Sequence, residues 1–135
     1  MNIKKRTLTI KTRKPQEFVD ITELIKAFIQ EHACKNGILT CFVPHTTAAI
    51  TINENADPDV LHDMSLGFNK IAPNDTLFKH FEGNSDAHIK STLVSPSLSL
   101  IVEEGKLLLG QWQGIYFCEF DGARSRKLMV HFMGF

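Results

Sequence analysis

The order of its periodic segments is the strongest constraint on how this chain can fold. Stretches in which apolar and polar residues alternate predict strands, and apolar residues recurring every three or four positions predict helices. The two kinds follow one another without regular alternation, which favours an α+β fold over a doubly wound parallel sheet. Strands are predicted at 8–11, 38–43, 48–53, 97–102, 106–110, 115–120 and 127–132.

Two main helices are predicted. The first begins at Asp20, which forms a capping-box pattern with Glu23, and ends at a left-handed cap expected at 36–37. The second begins at the Asp-Pro pair 57–58, since proline is favoured at the first helical position, and it ends before Pro73. With 135 residues the chain has the size of one domain, and we predict a single domain over residues 1–135.

The remaining segments are a polar stretch and a hairpin. Residues 74–90 are polar and predict a loop, with a short helix at 86–93. The sequence Glu-Glu-Gly at 103–105 lies between two predicted strands and indicates a β-hairpin.

The balance of charged residues argues against a general nucleic-acid binder and favours an oligomer. Fifteen Lys and Arg residues cancel fifteen Asp and Glu residues, so the chain lacks the net positive charge expected of a general nucleic-acid binder. A net charge of zero disperses a monomer poorly, which favours a defined oligomer. The chain shows no signal-peptide pattern, no run of membrane-spanning length and no CxxC spacing among its three cysteines. We therefore predict a cytoplasmic protein with buried free thiols and with neither nucleic acid nor membrane as partner.

Polar residues are dense at 44–59, PHTTAAITINENADPD. On an extended segment Glu54 shares a face with Ile50 and Ile52, which would partly desolvate its carboxylate. Desolvation tunes a carboxylate towards use as a general base at neutral pH. The alternative is that the polar residues here are solvated loop and helix-cap groups, and the sequence leaves both open.

Three of the six histidines lie in or beside polar segments: His45 at a strand break, and His80 and His88 in FKHFEGNSDAHIK. Brought together, three imidazoles would form an open zinc-type site with a fourth position for water or substrate. Their spacing matches no standard short metal motif, and a single histidine is usually a packed or surface residue.

Two further segments carry candidate binding groups. Gln111 and Gln113 flank Trp112 between two glycines, a pattern that fits either a ligand contact or a structural kink. Arg124 and Arg126 lie on a predicted turn, where two guanidinium groups could hold a phosphate or carboxylate in bidentate fashion. A solvated turn is the alternative for these arginines.

The same segments resemble the YjbQ family. The resemblance is carried by PHTTAAITINENADPDV and by HFEGNSDAHIKSTLVSPSLSLIVEEGKLLLGQWQGIYFCEFDG, and it runs over nearly the whole chain. It implies a compact α+β domain with a β-sandwich-like core of mixed or antiparallel sheets, assembled as a homotrimer. It also implies weak secondary thiamine-phosphate synthase activity.

The resemblance assigns roles by position within the motifs. It implies a divalent metal, zinc before magnesium or calcium, on His45, His80 and His88. It implies catalytic roles for Glu54, Asp86 and Gln113. The residues that it implies for contacts with substrate or phosphate are Thr46, Asn53, Gln111, Arg124 and Arg126. The chain has FDGARSR where family members commonly have FDGPRRR, which weakens the interpretation of this turn as a phosphate clamp.

Three functions follow as hypotheses. The first is a transferase that joins an aminopyrimidine pyrophosphate to a thiazole phosphate and stabilises the departing pyrophosphate. Hard phosphate-bound cations usually prefer carboxylate ligands, whereas a three-histidine metal with Glu54 as base suits a hydrolase of a small phosphorylated substrate. The third is a non-catalytic trimer that binds a metabolite and holds a structural metal.

Overall fold

The computed structural model describes residues 1–135 as eight strands and three helices. Their order along the chain is β1 (Asn2–Lys11), β2 (Glu17–Asp20), α1 (Thr22–Glu31), β3 (Gly37–Phe42), β4 (Ala48–Glu54), α2 (Pro58–Ile71), α3 (Ser85–Val94), β5 (Ser97–Glu103), β6 (Lys106–Leu107), β7 (Gln113–Glu119) and β8 (Ser125–Gly134).

The strands form two antiparallel sheets. The larger sheet has the order β1-β8-β3-β5-β6, and the smaller has the order β2-β7-β4. One buried cluster joins them: Leu39 and Cys41 of β3 belong to it together with Ile115 and Phe117 of β7, and α1 contributes Phe28. The predicted α+β class with a sandwich-like core is confirmed.

The smaller sheet is buried on both faces. Ile115 and Phe117 face the main core, whereas Cys118 and Phe120 pack on the other side against Ala87 of α3. This double burial explains why 115–120 is a continuous apolar run in the sequence rather than an alternating one. The helices α2 and α3 thus cover the outside of the smaller sheet.

The structure corrects several predicted boundaries. Helix α3, Ser85–Val94, confirms the short helix predicted at 86–93 and extends it by one residue at each end. Helix α1 begins at Thr22, whose backbone N–H donates to Asp20 Oδ1. It ends at Glu31, and the left-handed residue that follows is Ala33, with φ 49°, rather than a residue at 36–37. Strand β2 was not predicted; it pairs with β7, which is distant in sequence.

Gly37 has a different role from the predicted cap. It is the first residue of β3, where it pairs with Gly134 of β8, and a Cβ at this position would collide with the backbone carbonyl of Met133. The predicted hairpin at 103–105 is confirmed, with positive φ at Glu104 and Gly105 as a type I′ turn requires. Its second strand is only two residues long.

Two smaller findings concern thiols and membranes. The three cysteines are buried free thiols, as predicted, and burial raises the pKa of Cys41 to about 12. No helix of the chain combines the length and the apolar character needed to cross a membrane.

Candidate functional site

Two connections between the sheets meet at one end of the molecule. Residues 43–47 lead from β3 in the larger sheet to β4 in the smaller, and residues 120–124 lead back from β7 to β8. Together with the segment before α3 they enclose a cavity of about 400 Å³, which we call the histidine pocket. Its lining contains no large apolar side chain and consists of Pro44, His45, Thr46, Thr47, His80, Glu82, Asn84, His88, Asp121, Arg124 and Arg126.

The three predicted histidines all line this pocket. The rings of His80 and His88 pack edge to face with their centroids 5.3 Å apart. The Nε2 atom of His45 accepts a hydrogen bond of 2.8 Å from the backbone N–H of Lys127, so the neutral ring carries its proton on Nδ1. Burial and then the nearby Arg126 guanidinium lower the pKa of His45, which keeps this ring neutral at neutral pH.

A buried ion pair holds the wall of the pocket. The Nε of Arg126 donates to Glu119 Oε1 at 2.9 Å, and its Nη2 donates to Glu119 Oε2 and, at 2.9 Å, to Thr47 Oγ1. Glu119 is fully buried, and Thr12 Oγ1 also donates to its Oε1. Burial alone would raise the pKa of Glu119, but the hydrogen bonds from Arg126, from the Asp121 N–H and from Thr12 outweigh it and lower the pKa.

Arg124 is likewise engaged within the chain. Its Nε donates to the Asp121 carbonyl at 2.6 Å, and its Nη2 donates to Asp121 Oδ2 at 2.9 Å. The amide of Asn84 donates to the same carboxylate oxygen at 2.8 Å. Arg124 uses its Nε–H and one N–H of Nη2, so its Nη1 and Nη2 can still bind a phosphate in bidentate fashion. Arg126 donates from Nε to Glu119 and from Nη2 to both Glu119 and Thr47, so only its Nη1 has no hydrogen bond.

Asn84 carries an unusual feature. Its Nδ2 donates to Asp121, which fixes the orientation of the amide, and its Oδ1 is buried without any hydrogen-bond partner. A buried acceptor without a partner costs free energy, and most such groups in native proteins are paired. Asn84 lines the pocket, whereas its Oδ1 has almost no accessible surface.

Thr46, another predicted contact residue, also lines the pocket, and the other predicted site residues lie elsewhere. Register places Ala48 opposite Glu119 at the pocket end of the smaller sheet, and Glu54 opposite Gln113 at the other end. At about 3.3 Å per residue these ends are ~20 Å apart. Within one chain, Glu54, Asn53, Gln111 and Gln113 therefore form a separate group from the histidines.

Residues of this distant group bond mainly to nearby backbone. Gln113 Oε1 accepts from the Gly110 N–H at 2.7 Å, which closes the turn between them, and Asn53 Oδ1 accepts from the Glu54 N–H. Glu54 Oε2 accepts from the Asp57 N–H at 3.3 Å, close to the start of α2. Asp86, on α3, lies 3.7 Å from the buried Lys90 ammonium and does not line the pocket.

The arrangement of the side chains in the pocket decides whether they can hold a metal ion. No group of three or more His, Cys, Asp or Glu side chains is placed so that it could hold a metal ion. The Nε2 atom that accepts from Lys127 cannot also bind a metal, and coordination through Nδ1 would force a proton onto Nε2, opposite the Lys127 N–H. As arranged here the three histidines do not form a ligand set, and the divalent ion remains a prediction.

Sequence reasoning missed four residues of this region: Asn84, Glu119, Asp121 and Ser91. A carboxylate at Glu119 inside an apolar strand run was a usable signal, because a buried charge requires a partner. The segment Asn84-Ser85-Asp86 could have been identified as a helix start, which would have placed Asn84 at the N-terminus of α3.

Comparison with known proteins gives one consistent result. The chain matches the family described as UPF0047 protein YjbQ-like over residues 6–135. It is 52% identical over 130 residues to UPF0047 protein YugU of Bacillus subtilis, which covers 96% of this chain and 98% of that protein. It is 54% identical over 125 residues to a UPF0047 protein of Methanocaldococcus jannaschii, covering 93% of this chain and 91% of that protein.

Solved structures agree with the sequence comparison. An uncharacterised YjbQ/UPF0047 protein of Clostridium acetobutylicum has a TM-score of 0.92 at 49% identity, covering 95% of this chain and 99% of that one. A YbjQ-like protein of unknown function from Sulfolobus solfataricus has a TM-score of 0.94 at 31% identity, covering 99% of each chain. The family suggested by the sequence motifs is confirmed: the chain belongs to the UPF0047 family of YjbQ-like proteins.

Proposed function

We propose that the histidine pocket binds a small molecule that carries a phosphate or pyrophosphate group. The observation that carries this proposal is the pocket itself: three imidazoles line it, and no large apolar side chain does. Such a lining suits a small, strongly polar ligand better than an apolar one.

The N-terminus of α3 adds a second source of attraction for an anion. Asn84 is the N-cap residue of this helix, and no side chain caps its first turn. Free N–H groups and the positive end of the helix dipole favour phosphate at such a position. Arg124 is paired with Asp121 and Arg126 with Glu119, so the N–H groups of α3 and of the imidazoles supplement the guanidinium groups in holding an anion.

The reaction to test first is thiamine-phosphate synthesis. The thiazole nitrogen attacks the methylene carbon of the aminopyrimidine pyrophosphate; an N–C bond forms, the C–O bond breaks, and its electron pair leaves with pyrophosphate. The pocket would stabilise the leaving group through imidazole N–H donors and helix N–H groups.

The test is turnover of these two substrates by the purified chain, with thiamine phosphate and pyrophosphate both quantified. Removal of one pocket imidazole in His80→Ala should lower the rate at least about tenfold, whereas the control His62→Ala should keep it, because His62 is exposed on α2. Equal rates in the parent and His80→Ala would contradict the proposal. Pyrophosphate binding without turnover would instead favour the non-catalytic binding protein.

The metal-supported reactions need a separate measurement. Metal content is determined for protein purified without chelator, for the parent and for His80→Ala. About one divalent ion per chain, lost in the variant, would support the metal-dependent hydrolase and would mean that His45 gives up its hydrogen bond with Lys127. No metal in either protein would leave the histidines as hydrogen-bonding groups of an anion pocket.

A further inference from the structure

The outer face of the larger sheet, which is turned away from the core, has an apolar centre. That centre is a depression of about 340 Å³ lined by Thr40, Phe42, Met129, His131 and Met133. Phe42 and Met133 are large apolar side chains, yet they are 43% and 50% exposed. The face is therefore a concave, largely apolar surface that no other part of the chain covers.

His131 lies in the middle of this face. Register places it directly opposite Lys5 of β1 on one side and Thr40 of β3 on the other. Directly opposite residues of antiparallel strands project from the same face of a sheet, so these three side chains are neighbours. The imidazole is exposed, and its ring nitrogens make no hydrogen bond within the chain, unlike those of His45.

The charged groups that share the face with His131 are mostly cations. Lys5 and, further along, Lys11 face it from β1, and Lys127 lies on its own strand. Strand β3 places no charged side chain on this face. The carboxylate on the face belongs to Glu103 of β5, two strands away and four positions further along, at roughly 16 Å. Within one chain, no carboxylate is close enough to balance a proton on His131.

The distribution of charge over the face favours a second copy of this chain as its partner. The lysines lie on the side of β1 and β8, whereas Glu103 lies on the side of β5. A rotation that sets the β5 side of one copy against the β1 side of the next brings opposite charges together and buries the apolar centre. The zero net charge of the chain, which disperses a monomer poorly, favours the same arrangement.

We propose that copies of this chain bury the outer face against one another and that proton uptake by His131 releases them. In the assembly the imidazole is enclosed beside Lys5, so a proton on it adds a second positive charge to a desolvated place. In the free chain the ring lies in water and takes up a proton more readily. Because a fall in pH favours the form that binds more protons, acid favours the dissociated chain.

The test is light scattering of the parent, His131→Gln and His131→Lys at pH 7.5 and pH 5.5, over a series of protein concentrations. The parent should be assembled at pH 7.5 and should need at least about tenfold more protein for half-assembly at pH 5.5, because histidine changes its charge across this range. Glutamine does not titrate, so His131→Gln should assemble equally at both pH values. Lysine is charged at both, so His131→Lys should be dissociated already at pH 7.5.

Two controls keep the result specific. His62 is exposed on α2, outside the sheets, so His62→Gln should dissociate in acid as the parent does. Far-UV circular dichroism at pH 5.5 should show a folded parent, which separates dissociation from unfolding. Acid dissociation that coincides with loss of this signal would overturn the inference, because the protons would then act on the fold.

The remaining outcomes also decide the inference. A parent that is monomeric at pH 7.5, or equally assembled at both pH values, would overturn it, and so would acid dissociation that persists in His131→Gln. His131→Phe is a second neutral variant, and failure of both neutral variants to assemble at pH 7.5 would count against it equally. His131 lies outside the histidine pocket, so none of these outcomes bears on the ligand proposed there.

Discussion

At the scale of single residues, the histidine pocket depends on groups that hold its lining in place. The buried Glu119 carboxylate accepts from Arg126, Thr12 and the Asp121 N–H, and Arg126 in turn donates to Thr47. Breaking a buried pair by removing one partner typically costs 3–5 kcal/mol, because a charge is left uncompensated. Arg126 therefore holds the pocket wall in place through Glu119 and Thr47.

His45 gives a prediction for the pH dependence of stability. Its pKa is lowered from 6.5 by burial and by Arg126, so the folded chain takes up this proton less readily than the unfolded chain. The unfolded state then binds more protons as the pH falls below about 6.5, and the free energy of unfolding decreases. Arg124 and Glu119 also act on this ring, with opposite signs.

The measurement is urea unfolding of the parent and of His45→Gln between pH 7.5 and 5.0. Glutamine does not titrate, and its side-chain oxygen can still accept from the Lys127 N–H, so the variant should lose less stability across this range than the parent. His62→Gln, at an exposed position, is the control. Glu119, whose pKa is lowered from 4.5, contributes stability that is lost only at more acidic pH. Identical pH profiles for the parent and His45→Gln would contradict the account.

At the scale of elements, the pairing of β3 with β8 requires that the two backbones lie very close together at Gly37. A Cβ at Gly37 would collide with the Met133 carbonyl, and the backbone there cannot move without disturbing the pairing. Gly37→Ala should therefore lower the free energy of unfolding by about 1–3 kcal/mol, as overpacking does. Chemical denaturation measures the difference.

Gly67, in α2, provides the matched control. Nothing lies within 4 Å of the Cβ that an alanine would add there. Gly67→Ala should raise the stability by up to about 1 kcal/mol, the ordinary helix preference of alanine over glycine. Similar effects of the two substitutions would show that the collision at Gly37 is not real.

The sequence predicts elements with a clear period and fails where tertiary contacts set the conformation. All seven predicted strands and both main helices are present, but β1 begins at Asn2 instead of residue 8, α1 ends at Glu31, and the strand predicted at 106–110 is only two residues long. Asn-Gly at 36–37 looked like a helix cap, but the glycine is required by β8, which is distant in sequence.

The candidate site was predictable only in part, for a related reason. His45, His80 and His88 were identified, and the fold does place them in one pocket. Glu54 and Gln113 lie in equally polar motifs, but they stand at the opposite ends of β4 and β7 from the pocket, at the far end of the smaller sheet. The unpaired atoms of Asn84 and Ser91 leave no trace in the sequence, because they depend on which neighbours the fold supplies.

At the scale of the whole molecule, the outer face of the larger sheet carries a row of exposed apolar side chains. Ile3, Met133, Ile38 and Ile101 are direct neighbours across β1, β8, β3 and β5, and each is 43–58% exposed. A contiguous apolar row is unusual on the surface of a monomer. We propose that the predicted homotrimer buries this row.

Light scattering at micromolar concentration tests the assembly. The parent should have the mass of a trimer, and Ile38→Lys should shift it towards the monomer by placing a charge in the row. Leu77→Lys is the control, because Leu77 is highly exposed outside the sheets and the variant should remain a trimer. A monomeric parent, or an assembly unaffected by Ile38→Lys, would contradict this proposal.

The central claim, that the histidine pocket binds a phosphate group, is tested most directly by NMR of the imidazole rings during titration with pyrophosphate. The signals of all six histidine rings are followed in the same titration. Three of the rings lie in the pocket, and the other three are His32, His62 and His131. The account predicts saturable shifts for His45, His80 and His88 and little change in the other three. Uniformly small shifts of all six rings, or no saturation, would contradict it.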